Sequence, residues 1–334
     1  VDEVHMPEIS VIMPVYNTEE TFLRHAIESI LVQSFADFEL IVVNDGANAQ
    51  TTLVIDKYAT EDKRIKVIHN PVNKGVSFAR NIGKNQAVGE FIMFVDADDV
   101  CHPELLQILY QTLVDNQADI AGCCVKNITQ DHEFENQNAG HPKIKIFANP
   151  LDAFMKKRNI RTEVFARLYR KKIVENIRFP EGIRYEDVYF TTLAMFGARS
   201  FVMIENELYG YRKHARSFVR EDFTQEKAKY YLDIIRQVDA FFKTKNDKIR
   251  RDVRRNILNQ RVKMIFNQSV RRQRENSERK RIFSFLQGEL RNLYAHGIVD
   301  YQMLKVKHKI SLWLLLNLKN PKYSLLWTKI AKEF

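Results

Sequence analysis

The sequence predicts an α/β protein, with a mostly parallel, mixed sheet flanked by helices and a basic α-helical C-terminal region. Three observations predict this class. Short apolar runs alternate with amphipathic segments over the first 125 residues, polar residues follow several of those runs, and beyond about residue 220 the pattern becomes long, helical and basic. The 334 residues are 45% apolar and 28% charged. That composition excludes a disordered chain and a disulfide-stapled miniprotein.

The first elements alternate strand and helix. Residues 9–16 are a compact apolar run and predict a strand. Asn17 and Glu20 stand at capping-box spacing before a helical stripe that ends at Leu31, so we expect Asn17 to cap that helix. Residues 39–43 and 64–69 predict the second and third strands.

The same alternation continues to residue 125. We predict a helix over 77–87, a strand over 91–95, a helix from Pro103 through Asn116 and a strand over 119–125. Residues 126–165 are polar and weakly periodic, and 131–145 are interpreted as a surface loop. Because ligands bind at the carboxyl ends of strands in such sheets, we expect Asn17, Asp45 and the segment 96–99 to converge on one crevice.

The charge is divided unevenly along the chain. The net charge is +10, yet residues 216–334 hold 28 Lys and Arg against 12 Asp and Glu, and residues 1–215 hold 24 against 30. We therefore predict an α/β domain over residues 1–220 and a basic helical region over 221–334. Basic residues at helical spacing over 250–281, and Trp313 and Trp327 among Leu and Lys, favour an anionic membrane surface as a partner. Helices packed on the α/β domain remain an alternative.

The cysteine content and the hydropathy indicate where in the cell the protein is located. Cys101, Cys123 and Cys124 form neither a CxxC pair nor an even set, which argues against a disulfide framework or a zinc site and fits a reducing compartment. No signal peptide is expected, and the strongly apolar stretch 310–318 is about half the roughly 20 residues of a membrane-spanning helix. We expect a cytoplasmic protein, peripheral at the inner face of the cell membrane.

Three carboxylates are crowded where the predicted strand 91–95 ends. Asp96, Asp98 and Asp99 repel one another unless a cation lies among them. A hard divalent ion held by one or two carboxylates and by substrate phosphate oxygens fits this arrangement. Acids that cap a turn are the alternative, because Asp is common in turns.

Four segments in order resemble successive blocks of the family 2 inverting glycosyltransferases of GT-A fold, of the type that builds bacterial surface polysaccharide and lipooligosaccharide. They are residues 9–17 (ISVIMPVYN), 35–46 (FADFELIVVNDG), 73–83 (NKGVSFARNIG) and 89–99 (GEFIMFVDADD). The resemblance covers about residues 7–215. It implies a Rossmann-like GT-A sheet.

The resemblance also implies a nucleotide-sugar site. Asp45 matches the acid that reads a uracil edge, which implies a UDP-sugar donor, although Asn44 and Ala47 depart from the usual Asp and Ser of that block. Asp98, with Asp96, is implied as ligand to Mn²⁺ or Mg²⁺. The other implied donor-binding residues are Pro14, Val15, Tyr16, Asn17, Lys74, Arg80, Asn81, Ala97 and, by a looser match, Arg212 and His214.

The chemistry implied is the transfer of a hexosyl or N-acetylhexosaminyl group. Asp187 matches the general base that takes the proton of the acceptor hydroxyl, and Glu186 is an acceptor-binding partner or an alternative base. The acceptor is a glycan or a lipid-linked sugar in cell-surface polysaccharide synthesis. Two alternatives stay open: a nucleotide-binding scaffold without turnover, and a nucleic-acid-binding protein acting through the basic third. Since that third shows no nucleic-acid motif, we expect no nucleic-acid partner.

Overall fold

A computed structural model of the protein describes residues 5–129, 139–156, 160–213, 224–253 and 276–298. The chain divides into two compact units. The first comprises residues 1–182 and 186–215, and the second comprises residues 183–185 and 216–334.

Strands and helices alternate through the first unit. Its elements up to residue 128 are β1 (Ile9–Val15), α1 (Glu20–Leu31), β2 (Phe38–Asp45), α2 (Ala49–Glu61), β3 (Ile65–Asn70), α3 (Val76–Gln86), β4 (Phe91–Phe94), β5 (Val100–Cys101), α4 (Leu105–Asp115) and β6 (Ile120–Ile128). The later elements are β7 (Ile144–Phe147), α5 (Pro150–Met155), β8 (Arg167–Arg170), α6 (Lys171–Val174), α7 (Glu186–Gly197) and β9 (Phe201–Arg212).

The described strands form one mixed sheet in the order β3-β2-β1-β4-β8-β6-β9-β5, with β7 paired to β9. The strands β3, β2, β1 and β4 are parallel, β8 runs antiparallel between β4 and β6, and β6 and β9 are parallel. Val15 lies opposite Asn44, and Ile12 lies opposite Phe94. The carboxyl ends of β1, β2 and β4 therefore meet at one edge of the sheet.

The central strands are mostly apolar because helices cover both faces of the sheet. Every residue of β2 and β4 is buried. The core continues into an aromatic cluster that attaches the later part of the unit to β4. Phe179 stacks on Phe190 of α7 with 4.1 Å between ring centroids, and both rings meet Phe94 edge to face. This packing fixes α7 beside the carboxyl edge of the sheet.

Three local expectations differ from the structure. Helix α2 was not anticipated, although Thr51, Val54, Ile55 and Tyr58 follow helical spacing on its buried face. Strand β7 begins at Ile144, inside the segment expected to be a loop, and it is stabilised by pairing with the distant β9. The expected capping box is wrong, because α1 begins at Glu20 without a side-chain cap and Asn17 bonds elsewhere.

The second unit is helical in its described part, with α8 (Gln225–Lys243), α9 (Asp247–Val253) and α10 (Asn276–Ala295). Thr224 caps α8 by accepting from the amide of Lys227, and the apolar face of α8 is buried. Arg236 of α8 pairs with Glu289 of α10. Tyr185, which has a positive φ of 65°, stacks on Tyr231 of α8 at 3.9 Å.

Among the helices that the structure describes, none combines the length and hydropathy required to span a membrane. Most of the 250–281 segment, both tryptophans and His214 lie outside the described residues. All three cysteines are free; Cys101 and Cys123 are buried, and Cys124 is half-buried.

Candidate functional site

The carboxyl end of β1 turns sharply at Asn17. This residue has a left-handed φ of 46°, which Asn tolerates better than most residues. Its side-chain oxygen accepts from the amide of Asn48 at 2.8 Å, so it joins the end of β1 to the start of α2. Tyr16 is 52% exposed beside this turn. An exposed ring at a strand end is available to stack on a flat ligand.

The carboxylate of Asp45 organises the loop that precedes α3. It is buried at the end of β2 and accepts from the backbone amides of Lys74 and Gly75 and from the side chain of Asn70, at distances from 2.7 to 3.1 Å. Gly46 follows with a φ of 69°, and a Cβ there would lie 2.4 Å from the backbone nitrogen of Asn73. The close approach of these two loops therefore requires glycine at position 46.

Asn44, where the sequence departs from the block that it resembles, has a structural role. Its side-chain oxygen accepts from the amide of Ala47 at 2.9 Å, and its side-chain nitrogen contacts Thr52 Oγ1 and His69 Nδ1 at 2.9 and 3.1 Å. An amide supplies both the acceptor and the donor that this buried position uses, whereas an ionised carboxylate has no donor.

Arg80 joins two acids that are far apart in sequence. Its Nη1 donates to Glu186 Oε1 at 2.6 Å, and its Nη2 donates to Asp96 Oδ1 at 2.7 Å. Burial by itself lowers the pKa of Arg80, but the charges of Asp96 and Glu186 outweigh it and raise that pKa above its ordinary value. The Nε of Arg80 is buried without a hydrogen-bond partner. Arg80 is thus an internal cation rather than a residue of the helix surface.

Asn81, the next residue of α3, holds the segment that leads toward α7. Its side-chain oxygen accepts from the amide of Phe179 at 2.8 Å, and its nitrogen donates to the Phe179 carbonyl at 2.9 Å. Two adjacent side chains of α3 therefore contact different parts of the unit: Arg80 binds Asp96 after β4, and Asn81 binds the backbone of Phe179 before α7. Lys74, by contrast, is exposed, and its Nζ lies 4.5 Å from the ring centroid of Phe78.

The turn from Asp96 to Asp99 is held by the end of β9. The Tyr209 hydroxyl donates to Asp99 Oδ2 at 2.8 Å and accepts from the Asp96 amide at 3.2 Å. Arg212 donates from its backbone amide to Asp99 Oδ1 at 2.8 Å and from Nε to the Asp98 carbonyl at 2.7 Å. Ala97 is buried, while the carboxylate-bearing Asp96 and Asp98 remain partly exposed.

The donor set of this turn fits a divalent cation. Burial raises the pKa of Asp99 well above its ordinary value, and the charges of Asp98 and Asp96 raise it further. Positive charge among these acids would relieve that repulsion, and carboxylate oxygens suit Mg²⁺ and Mn²⁺. In the described ranges, no three His, Cys, Asp or Glu side chains form a metal cage. Asp96 and Asp98 are partly exposed, so they are the carboxylates of this turn that would hold such an ion.

Asp187 lies in the first turn of α7, next to Glu186. Its carboxylate is half-buried and accepts from the amide of Val188 at 2.8 Å, and its charge acts on Arg80. The turn after β4 and the acidic pair of α7 therefore meet around one guanidinium. Sequence reasoning identified all three acids of this cluster but not the Arg80 bridge between them.

Two cavities lie outside this cluster. The larger, of about 370 Å³, lies at the opposite, amino-terminal edge of the sheet beside Gly89 and Lys171. Ligands of open α/β sheets bind at the carboxyl edge, so this cavity is not the candidate site. A second cavity of about 250 Å³ lies between β6 and the segment that precedes β8.

Comparison with known proteins shows the family to which this chain belongs. The family model described as "Glycosyl transferase family 2" matches residues 10–178. An uncharacterized glycosyltransferase of Bacillus subtilis, EpsJ, is 34% identical over 222 residues, which are 64% of this chain and 63% of EpsJ. The glycosyltransferase GlyA of Streptococcus pneumoniae is 30% identical over 224 residues, which are 64% of this chain and 32% of GlyA. The matched part thus spans less than two thirds of either relative.

A solved structure is similar over nearly the whole chain. It is S. aureus TarS 1–349 in complex with UDP-GlcNAc, with a TM-score of 0.73 and 19% identity, covering 98% of this chain and 91% of TarS 1–349. At this identity the likeness concerns the fold. It confirms the fold class expected from the sequence, a GT-A sheet flanked by helices.

Proposed function

The chain belongs to glycosyl transferase family 2, and on that premise we propose that it transfers a sugar from a UDP-sugar to a hydroxyl group of an acceptor, with inversion at the anomeric carbon. The observation that carries the proposal is the pairing of buried Arg80 with both Asp96 and Glu186. In a one-step displacement the acceptor oxygen attacks the face of the anomeric carbon opposite the departing diphosphate, so the donor site and the base must belong to the same site. A single guanidinium that contacts an acid from each group supports that arrangement.

The donor is a UDP-sugar of hexosyl or N-acetylhexosaminyl type. UDP-GlcNAc is bound in the structure of TarS, whose fold this chain shares. Residues 14–17 would contact the base and ribose, with exposed Tyr16 as the stacking surface. Asp45 accepts from three protein donors. These bonds fix the carboxylate at the end of β2, where it would accept from the N–H of a uracil edge.

The diphosphate is bound at the turn after β4. Asp98, with Asp96, would hold Mn²⁺ or Mg²⁺, which supplies positive charge where the departing diphosphate gains negative charge. Tyr209 and Arg212 fix the backbone of that turn before the donor binds. A preorganised turn needs no rearrangement during the chemical step.

Asp187 acts as the general base. It takes the proton of the acceptor hydroxyl while that oxygen forms a bond to the anomeric carbon. The bond from the anomeric carbon to the phosphate oxygen breaks at the same time, and its electron pair leaves with UDP. Glu186 is a positioning residue, because its carboxylate is bound by Arg80 and only 10% of its side chain is exposed.

A donor screen tests this function. The full chain is incubated with UDP-glucose, UDP-galactose, UDP-GlcNAc and UDP-GalNAc in Mn²⁺ or Mg²⁺, and released UDP is measured. We expect release from at least one donor, loss of release in Asp98→Asn, and an unchanged rate in the surface control Asp56→Asn. UDP binding without release from any donor would instead support the scaffold without turnover.

The acceptor is a glycan or lipid-linked sugar of cell-surface polysaccharide synthesis, bound while the basic C-terminal region lies on an anionic membrane. The excess of 28 Lys and Arg over 12 Asp and Glu after residue 215 supports this location. Sedimentation with vesicles of phosphatidylglycerol tests it. We expect binding that weakens with added salt, and no binding to phosphatidylcholine vesicles. Absence of binding at low salt would contradict it.

A further inference from the structure

The cavity of about 250 Å³ beside β6 lies at an irregularity in strand pairing. The register between β6 and β9 shifts on either side of Cys124, so the regular pairing of the two strands is interrupted there. The segment from Arg161 to Ala166 closes the other side. The volume is slightly below the 300–1,000 Å³ of pockets for drug-sized ligands, which suits a ligand of one sugar ring.

One of the residues that line this cavity, Glu163, has a carboxylate oxygen without a hydrogen-bond partner. Glu163 Oε1 accepts from Arg161 Nη2 at 2.7 Å, whereas Glu163 Oε2 is buried and has no hydrogen-bond partner. A buried acceptor without a donor is unfavourable, and a ligand hydroxyl would satisfy it. Burial by itself raises the pKa of Glu163, but Arg161 outweighs burial and lowers that pKa, so the group is ionised and accepts only.

The lining of the cavity has as many positively charged as negatively charged side chains. Arg161 and Arg167 face Glu163 and Glu207 in its lining. The guanidinium of Arg167 donates to the backbone carbonyls of Glu163 and Arg161, so it is already occupied by the protein. A phosphate would meet two carboxylates without an unused cation to neutralise it. A neutral ligand with several hydroxyls matches this lining better.

Contacts connect the wall of the cavity to both parts of the proposed active site, through Phe165 on one side and through Thr162, next to Arg161 and Glu163, on the other. Phe165 in its wall stacks on Tyr209 at 4.7 Å, and the Tyr209 hydroxyl bonds to Asp99 and to the Asp96 amide. On the other side, Thr191 of α7 donates to the Thr162 carbonyl at 2.8 Å. Thr191 is one helical turn after Asp187, so the two lie on the same face of α7.

We propose that this cavity is the subsite that binds one neutral pyranose ring of the acceptor, with Glu163 Oε2 accepting from a sugar hydroxyl. The inference rests on the proposed function, since it assigns the acceptor side of the same reaction. It adds the substrate class, a neutral hexose or N-acetylhexosamine unit, and a specificity residue, Glu163.

Cys124 offers a test that does not require turnover. It lines the cavity and is half-buried, whereas Cys101 and Cys123 are buried and serve as internal references. The full chain is alkylated with iodoacetamide at mildly alkaline pH, with and without methyl glycosides of glucose, galactose, GlcNAc and GalNAc, and each cysteine is followed by mass spectrometry. We expect at least one glycoside to slow alkylation of Cys124 severalfold. An unchanged rate with all four overturns the subsite.

The variant Glu163→Gln separates the subsite from the donor chemistry. The protecting glycoside is used as acceptor, and we expect its KM to rise about tenfold while UDP release to water stays at the wild-type rate. Glu61→Gln, which removes a carboxylate that pairs with Lys57 on the surface of α2, is the matched control. If UDP release is intact and Glu163→Gln leaves the acceptor KM unchanged, the subsite is wrong and the proposed function stands. If no donor releases UDP, the proposed function fails, and the alkylation result still decides the subsite.

Discussion

Arg80 and Glu186 form a buried ion pair, with 2.6 Å between Nη1 and Oε1, although 106 positions separate them in sequence. The same guanidinium binds Asp96 at 2.7 Å. The planar fork of Arg can donate to two carboxylates in fixed directions, and a Lys ammonium cannot reproduce that geometry. We infer that Arg80 is a positioning residue that sets the distance between the donor-side turn and the acidic pair of α7.

The first prediction concerns Arg80. Arg80→Gln leaves two acids without their cation, and loss of one partner of a buried ion pair costs about 3–5 kcal/mol of stability. Arg80→Lys keeps the charge but not the fork, so we expect a smaller fall in Tm together with a fall in kcat of about tenfold or more. Calorimetry and UDP-release kinetics measure both effects. Arg64→Lys, which alters the partly exposed pair with Asp62, is the control and should keep its kcat. Wild-type kcat in Arg80→Lys would contradict the positioning role.

The second prediction separates the two adjacent acids of α7. Asp187→Asn removes the proposed base, so we expect loss of sugar transfer with normal UDP affinity and Tm. Glu186→Gln weakens the contact with Arg80, so we expect a partial loss of kcat and a lower Tm. Single-turnover kinetics, UDP titration and thermal melts distinguish the two patterns. Near-normal transfer by Asp187→Asn would remove its role and shift the assignment to Glu186.

The third prediction concerns the contact between the two loops at Gly46. A Cβ at this position would lie 2.4 Å from Asn73 N, whereas a Cβ at Gly182 meets nothing within 4 Å. Both glycines have positive φ, so replacement by Ala costs each about 1–2 kcal/mol of backbone strain. We expect Gly46→Ala to lower Tm more than Gly182→Ala and also to weaken UDP binding, because it displaces the loop that Asp45 holds. Equal effects of the two substitutions would refute the steric argument.

The fourth prediction concerns pH and the buried Glu39 of β2. Burial by itself raises the pKa of Glu39, but hydrogen bonds from Lys66, Ser10 and the Val88 amide outweigh it, and the pKa is lowered. A carboxylate with a lowered folded-state pKa contributes stability above its ordinary value of 4.5, and that stability is lost as the pH falls through the folded-state pKa.

Chemical denaturation across this acidic range tests whether Glu39 contributes stability that is lost as the pH falls. We expect the free energy of unfolding of Glu39→Gln to depend less on pH below about 4.5 than that of the wild type. The exposed Glu61→Gln should retain the wild-type pH dependence. A pH dependence of Glu39→Gln that matches the wild type would mean that Glu39 does not carry this stability.

The strands β1, β2 and β4 could be predicted because each is a short, mostly apolar run followed by a polar residue. That pattern identified the ends of β1, β2 and β4, where Asn17, Asp45 and Asp96 lie. The contacts made there could not be predicted, because they join residues far apart in sequence. Asn17 was expected to cap α1, yet its left-handed backbone directs its side chain to Asn48 instead.

The same reason explains what sequence reasoning missed at the site. Arg80 matched a nucleotide-lining block, and nothing local indicates that its partners are Asp96 and Glu186. Asn81 matched the same block, and the structure shows its amide engaged by the backbone of Phe179. Strand β7 was missed because its pairing partner β9 begins at Phe201, far along the chain. The positions of His214 and of both tryptophans lie outside the residues that the structure describes.

The antiparallel β8 between β4 and β6 has a consequence for the order of folding. Strands β1 to β4 pair with one another within the continuous segment from Ile9 to Phe94. In contrast, Ile120 of β6 pairs with Phe201 of β9, and β8 must enter between β4 and β6 to complete the sheet. Contacts over short sequence separations close smaller loops and form sooner. The half of the sheet formed by β1 to β4 therefore has the connectivity of an early cooperative folding unit, and we expect β6, β8 and β9 to complete the sheet after it.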